Sequence, residues 1–240
     1  MKILAIESSG PLASAAVIEE GRILGEEAGE FKVTHSETLL PLTDKVIKET
    51  GTDLKEIDAI AVSGGPGSFT GLRIGNATAK GLGLALEKPL IHVPTLEAMA
   101  YNFYETANTL VIPLMDARRN QVYTGIYRFK CCDMEVLLTG CAMSIEDLIS
   151  LINEKYAGEN IIFSGDGVPV ARELIESSCR AGYTFAEGPD AFQRAASVAR
   201  LGERLALAGK TVNADDEAPE YLRPSQAERV KAEKDAAKEV

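Results

Sequence analysis

The sequence predicts an α/β protein built from two halves of similar layout. Short apolar runs rich in branched aliphatics recur along its 240 residues, each bounded by turn residues, and read as buried strands. Between them lie stretches whose apolar side chains fall three and four apart, the helical period. This alternation occurs before residue 104 and again after residue 105, which suits a duplicated unit. We divide the chain into an N-terminal domain (1–104), a C-terminal domain (105–212) and an acidic, then mixed-charge tail (213–240).

Ile3 to Ser8 is the first strand and Ala13 to Ile18 the second, joined by the polar turn Ser8-Ser9-Gly10-Pro11. Gly21 marks a hairpin before a third strand, Ile23 to Ala28. Thr34-His-Ser-Glu37 has capping-box spacing, with Thr34 as N-cap. Leu39, Leu42 and Val46 then line one helical face, with Leu40 and Ile47 beside it, and Gly51 is the stop. Pro41 conflicts with that start, because proline inside a helix costs about 3 kcal/mol. The helix either kinks there or begins near it.

Ile57 to Val62 is a buried strand that feeds the loop Gly64-Gly-Pro-Gly67 and a helix from Thr70 to Leu86. Inside that helix Gly71, Gly75, Ala79 and Gly83 fall four apart on one face. Each internal glycine costs about 0.8–1 kcal/mol relative to alanine. A stripe without side chains lets something approach the backbone closely: either the protein's own core or a second chain.

Leu90 to Val93 is the next strand, with a helix from Leu96 to Glu105 after it. Leu110 to Met115, Gln121 to Phe129 and Glu135 to Ala142 read as strands, and Ser144-Ile-Glu-Asp147 caps a helix to Tyr156. Ile161 to Ser164 is a strand, and Pro169 begins a helix at its first turn. Asp190 is expected to cap a last helix carrying Phe192, Ala195, Ala196 and Ala199 on one face and ending near Gly209. From Ser225 onward the tail is charged and cannot bury a face; Tyr221 and Leu222 are the apolar anchors before it.

Net charge of −11 argues against direct RNA binding, since phosphate backbones are held by clustered Lys and Arg and only the pair Arg118-Arg119 occurs here. No apolar run approaches membrane-spanning length, and the apolar start is too short for a signal-peptide core, so a cytoplasmic chain is expected. The four cysteines lack C-x-x-C spacing and read as reduced thiols.

Phosphate-cradling and nucleophile motifs fail around the glycine loop. A Walker A would need glycine where Pro66 stands and lysine where Leu72 stands. A nucleophile elbow around Ser68 fails at Pro66 and Thr70. Two generic anion contacts survive: the hydroxyl-rich turn at Ser8 and Ser9, and backbone amides near Gly65, Gly67 and Ser68 at a helix start, with Arg73 one turn in. No metal cluster and no catalytic couple can be read. His35 has no acid or nucleophile evident beside it and suits capping or surface work.

Ser63-Gly-Gly-Pro-Gly-Ser-Phe-Thr-Gly-Leu-Arg73 resembles the hallmark of the TsaB (YeaZ) family of the tRNA threonylcarbamoyladenosine pathway. Ile3–Gly10, Thr34–Pro41, Asp116–Tyr123 and Tyr221–Arg223 are similar to further stretches of that family. The resemblance implies an actin-like, Hsp70-like and sugar-kinase-like ATPase fold in two domains. It implies a non-catalytic partner of TsaD, working with TsaE and TsaC-type proteins to place threonylcarbamoyl on N6 of adenosine 37 in tRNAs reading ANN codons. tRNA is then met only through the complex, with a homodimer as the alternative assembly. No tightly bound cofactor is expected; ATP or ADP would bind weakly or at the partner interface. At the place of TsaD's metal-binding His-x-x-x-His this chain has Thr95 and Met99. The partner contact implied by the family uses the helices matching 34–51 and 70–86. Its candidates are Thr34, His35, Glu37, Leu39, Leu40, Gly71, Leu72, Arg73, Gly75, Asn76, Ala79, Lys80 and Gly83. On this expectation Gly75→Leu abolishes pairing and spares the monomer. The alternative is a stand-alone ATPase or a glycoprotease-like peptidase of the same fold.

Overall fold

The computed structural model describes residues 1–29 and 34–214. Its first half runs β1 (Lys2–Glu7), β2 (Ser14–Glu19), β3 (Arg22–Ala28), α1 (His35–Thr50), β4 (Ala59–Gly65), α2 (Phe69–Leu86), β5 (Leu90–Pro94) and α3 (Thr95–Ala100). The second half repeats that order: β6 (Thr109–Asp116), β7 (Gln121–Lys130), β8 (Asp133–Ser144), α4 (Ile145–Lys155), β9 (Asn160–Ser164), α5 (Val168–Ser178), β10 (Gly182–Phe185) and α6 (Ala195–Leu207). The sheets run β3-β2-β1-β4-β5 and β8-β7-β6-β9-β10, so position for position they share one topology. In each, the first three strands are antiparallel and the last two join in parallel. The duplication that the sequence suggested only by layout is thus explicit in the strand order.

Alternation along β1 explains the layering. Leu4 and Ile6 point to a core shared with Leu39 and Val46 of α1 and Ala79 of α2. Ile3 and Ala5 point the other way, into a core that also holds Met99 of α3, Val198 and Leu201 of α6, and Val111, Tyr127 and Phe129 of the second sheet. A third core lies beneath α4 and α5. The molecule is therefore five layers deep, with α3 and α6 between the two sheets. β1 is buried on both faces, which is why it reads as a continuous apolar run.

Several sequence expectations change here. α6 lies within the C-terminal domain by sequence, yet packs on the first sheet; a Cβ on Gly202 would stand 2.8 Å from Ala61 Cβ. Its N-terminus is met by the first sheet rather than by Asp190. Ala195 N donates to Ser14 Oγ at 3.0 Å, and Ala196 N to Glu26 Oε1 at 2.9 Å. An acid there complements the helix dipole. Asp190 instead lies in a 3-10 turn and pairs with Arg194, so Phe192 precedes the helix. α1 is continuous through the exposed Pro41, and the Thr34 hydroxyl donates to Glu37 Oε2 at 2.6 Å instead of capping an amide. α3 ends at Ala100, with a 3-10 turn over Tyr101–Phe103. Val212 pairs with Leu90. The docking anchors Tyr221 and Leu222, the family-like stretch Tyr221–Arg223 and the rest of the tail lie outside the described residues.

Candidate functional site

The glycine loop, the Ser8–Pro11 turn and the helices α1 and α2 meet at one end of the first sheet. The sequence singled out the 71/75/79/83 stripe as a partner surface or a core contact; the structure makes it a core contact. Gly71, Gly75, Ala79 and Gly83 are all buried within the chain. A Cβ on Gly71 would overlap Ser8 O, and one on Gly75 would overlap Ser8 Oγ. A Cβ on Gly83 would lie 2.9 Å from Leu90 Cδ2 and 3.1 Å from Ala214 Cβ. The bare backbone lets α2 press onto the turn after β1, where Ser8 Oγ donates to Gly71 O at 2.9 Å. Leu39 (1% exposed), Leu72 (2%) and Asn76 (6%) also face inward, so these seven candidates are withdrawn from the partner surface.

The anion contacts fare likewise. Ser8 is fully buried and Ser9 is 2% exposed. Ser9 N and Ser9 Oγ both donate to Glu7 Oε1, at 2.5 and 2.6 Å. Glu7 is itself buried, and burial holds its carboxyl above the usual range against the hydrogen bonds from Ser9 and Ser63. An arriving phosphate would thus meet an acid rather than free donors. Gly65 N is taken by Thr95 Oγ1 at 3.1 Å, and Ser68 N donates to Ser9 O at 2.8 Å. Ser68 Oγ caps Gly71 N at 3.2 Å. Gly67 is pressed against Ser9, whose Cβ lies 2.6 Å from where a Gly67 Cβ would be. Gln193, which sequence reasoning passed over, lies against Gly10 where a side chain would otherwise project, and donates to Asp166 Oδ1 at 3.1 Å. The residues at this turn do not fit a nucleotide phosphate. Met99 is 1% exposed in the central core, and Thr95 is fully buried with its Oγ1 accepting from Gly65 N.

What remains outward is a different face of the same two helices. Thr34, Glu37, Leu40 and Arg73 are exposed. His35 is half-buried and ties α1 to the turn, its Nε2 lying 2.9 Å from Gly10 O. Lys80 is half-buried. Arg73 stacks its guanidinium over Phe69, 4.0 Å from the ring centroid. Sequence reasoning missed a second small-residue stripe, Ala77, Gly81 and Ala85, exposed on the opposite side of α2. Among the described residues a Cβ on Gly81 would meet nothing within 4 Å, so no contact among them explains a glycine there. Leu84, 46% exposed, stands beside it, and α1 contributes Leu40, 56% exposed. The four-residue spacing of 77, 81 and 85 was legible, but the buried stripe drew the reading first. Among the described residues no helix is long and apolar enough to cross a membrane.

Comparison with known proteins fits this arrangement. The family model described as TsaD, tRNA N6-adenosine threonylcarbamoyltransferase, matches residues 29–231. The chain is 31% identical to the tRNA threonylcarbamoyladenosine biosynthesis protein TsaB of Bacillus subtilis, over 95% of this chain and 96% of that one. It is 36% identical to TsaB of Escherichia coli over about half of each, 53% and 55%. A solved Pseudomonas aeruginosa protein, described as similar to peptidase YEAZ, superimposes with a TM-score of 0.77 at 26% identity, covering 92% of this chain and 99% of that one. Component A of Acidaminococcus fermentans (R)-2-hydroxyglutaryl-CoA dehydratase, at 10% identity and a TM-score of 0.52 over 86% of this chain and 99% of its own, shares the fold alone. The two mixed sheets are those of the actin-like ATPase fold that the resemblance implied. By its near full-length identity and the span of the family model, the chain belongs to the TsaB family of tRNA threonylcarbamoyladenosine biosynthesis proteins.

Proposed function

We propose that this chain is the non-catalytic partner of a TsaD-type threonylcarbamoyltransferase and binds it through the outward faces of α1 and α2. The complex, with TsaE and TsaC-type proteins, places threonylcarbamoyl on N6 of adenosine 37 in tRNAs reading ANN codons. The observation that carries this reading is Gly81, a helix glycine before which none of the described residues stands, set between Ala77 and Ala85 and beside Leu84. A partner helix can approach that backbone closely, with Leu40 and Leu84 as apolar anchors. In the partner's absence the same face pairs two copies of this chain.

tRNA is engaged through the complex, since a net charge of −11 repels a phosphate backbone. The site of action in this reading is the cytoplasm. Nucleotide, where it binds, sits at the face shared with the partner, because the Ser8–Pro11 turn is filled from within. A stand-alone ATPase or peptidase would need a reactive group presented outward, whereas the Ser8 and Ser9 hydroxyls are directed to Gly71 O and Glu7 Oε1. The test is reconstitution: tRNA threonylcarbamoylation by the TsaD homologue, TsaE and a TsaC-type protein, with and without this chain. Modification that depends on the chain, and fails with Gly81→Leu, supports the proposal. Equal modification without it would reject the proposal.

A further inference from the structure

Between the two halves lies a cavity of about 200 Å³ that the partner face does not use. The first half contributes the end of β4 (Gly64 to Pro66), His92 and Pro94 of β5, and Leu96 and Glu97 of α3; the second contributes Tyr127 and Gly140. Tyr127 is fully buried, and its hydroxyl has no hydrogen-bond partner among the described residues. Its position is enforced by Gly125, two residues back on the same face of β7, where any Cβ would overlap the phenol oxygen. A buried hydroxyl left unpaired is costly, and native proteins leave few of them. One held in place at the wall of a cavity marks a spot for a polar group from outside the chain.

The lining says which kind. Glu97 is its one formally acidic side chain, and no lysine or arginine lines it. Pro66, Pro94 and Leu96 give the remaining walls an apolar surface. We propose that the cavity binds a small organic amine, its ammonium between the Glu97 carboxyl and the Tyr127 hydroxyl and its short carbon stem against Pro66, Pro94 and Leu96. An ammonium has three donors and no acceptor, which matches a carboxylate and a phenol oxygen. The volume equals that of about seven waters, so the ligand has about five to seven non-hydrogen atoms. Burial, and second to it the nearby Glu97, push the Tyr127 phenol well above its ordinary range, so it stays a neutral hydroxyl that can accept from the ammonium. Glu97 is itself raised by burial, which outweighs the lowering by the Lys210 ammonium nearby. A bound amine would span both halves of the molecule. This inference stands apart from the partner reading.

Calorimetric titration of the purified full-length chain with n-butylamine, butyrate and 1-butanol at matched pH and ionic strength tests it. Saturable butylamine binding at millimolar concentrations is expected, with no binding of butyrate. Glu97→Gln should weaken it about tenfold or more, and Tyr127→Phe several-fold, as for hydrogen bonds to a charged donor. Both variants keep the side chain's shape, and Tyr127→Phe should melt no lower than wild type without amine, which separates loss of binding from loss of fold. The proposal is overturned if butylamine does not saturate, if butyrate binds as well, or if both variants bind butylamine as wild type does.

Discussion

Gly75→Ala should destabilise this chain although alanine is the better helix former. At an open helix position the exchange gains about 0.8–1 kcal/mol. At Gly75 the new Cβ would overlap Ser8 Oγ and lie 3.3 Å from Ser8 Cβ and 3.6 Å from Val62 Cγ2. The hydroxyl has nowhere favourable to turn, being fully buried and bonded to Gly71 O at 2.9 Å. Leaving it unpaired costs about 1–3 kcal/mol, and the overpacking about 1–3 kcal/mol more. Set against the propensity gain, the net loss is about 1–5 kcal/mol. Gly81→Ala is the matched control: none of the described residues stands within 4 Å of its Cβ, so it should gain nearly the full propensity term. Urea denaturation followed by circular dichroism reads both. Ser8→Ala should recover part of the loss in the double variant, because it removes the overlapped atom. A Gly75→Ala midpoint at or above wild type, or strict additivity with Ser8→Ala, would refute the inward assignment of the stripe.

Other outcomes follow from the same geometry. Glu7 is raised by burial in the folded chain, so it holds its proton more tightly there than when unfolded. The stability this contributes is complete below the ordinary carboxylate pKa and is lost as pH climbs through the folded-state value. Glu7→Gln should therefore flatten the pH dependence of the urea midpoint across that window; an unchanged curve contradicts the assignment. Arg194 joins Glu26 of β3 at 2.5 Å and Asp190, beside the α6 start. Arg194→Ala leaves Glu26 without its cation and should cost about 1–3 kcal/mol, read as a lowered melting temperature. Leu40→Asp puts a charge on the outward face and should abolish homodimer formation in sedimentation runs while leaving the melting temperature within about a degree or two, as surface changes do.

Local chemistry was legible in the sequence where it is decided locally. Nine of the strand runs, the Ser144 cap and the Gly51 stop depend on neighbours within a few residues and could be read from them, whereas the short edge strand β10 (Gly182–Phe185) was not read. The internal repeat was visible as an order of elements, but only strand pairing shows that both sheets share one topology. Long-range choices were hidden. A glycine period says that something comes close, not what; here Ser8, some 60 residues earlier in the chain, meets Gly71 and Gly75, while Leu90 and Ala214 meet Gly83. Ser8 and Ser9 looked available because the buried Glu7 that engages Ser9 and the Gln193 that covers Gly10 are fixed by tertiary contacts. The crossing of α6 to the first sheet rests on Glu26 and Ser14 meeting its N-terminal amides, a contact that spans most of the sequence. Gly81 was readable as a second stripe with Ala77 and Ala85, yet only the absence of neighbours among the described residues sets it apart from Gly75.

The central claim is that a neighbour docks on the outward face of α2 while the inward glycines serve the fold. Calorimetric titration of the TsaD homologue with wild-type chain, Gly81→Leu and Gly81→Ala measures this directly. Tight binding by wild type, lost by at least a hundredfold with Gly81→Leu in a chain that melts normally and weakened less by Gly81→Ala, is the predicted result. Wild-type affinity in a folded Gly81→Leu chain would place the contact elsewhere and contradict the account.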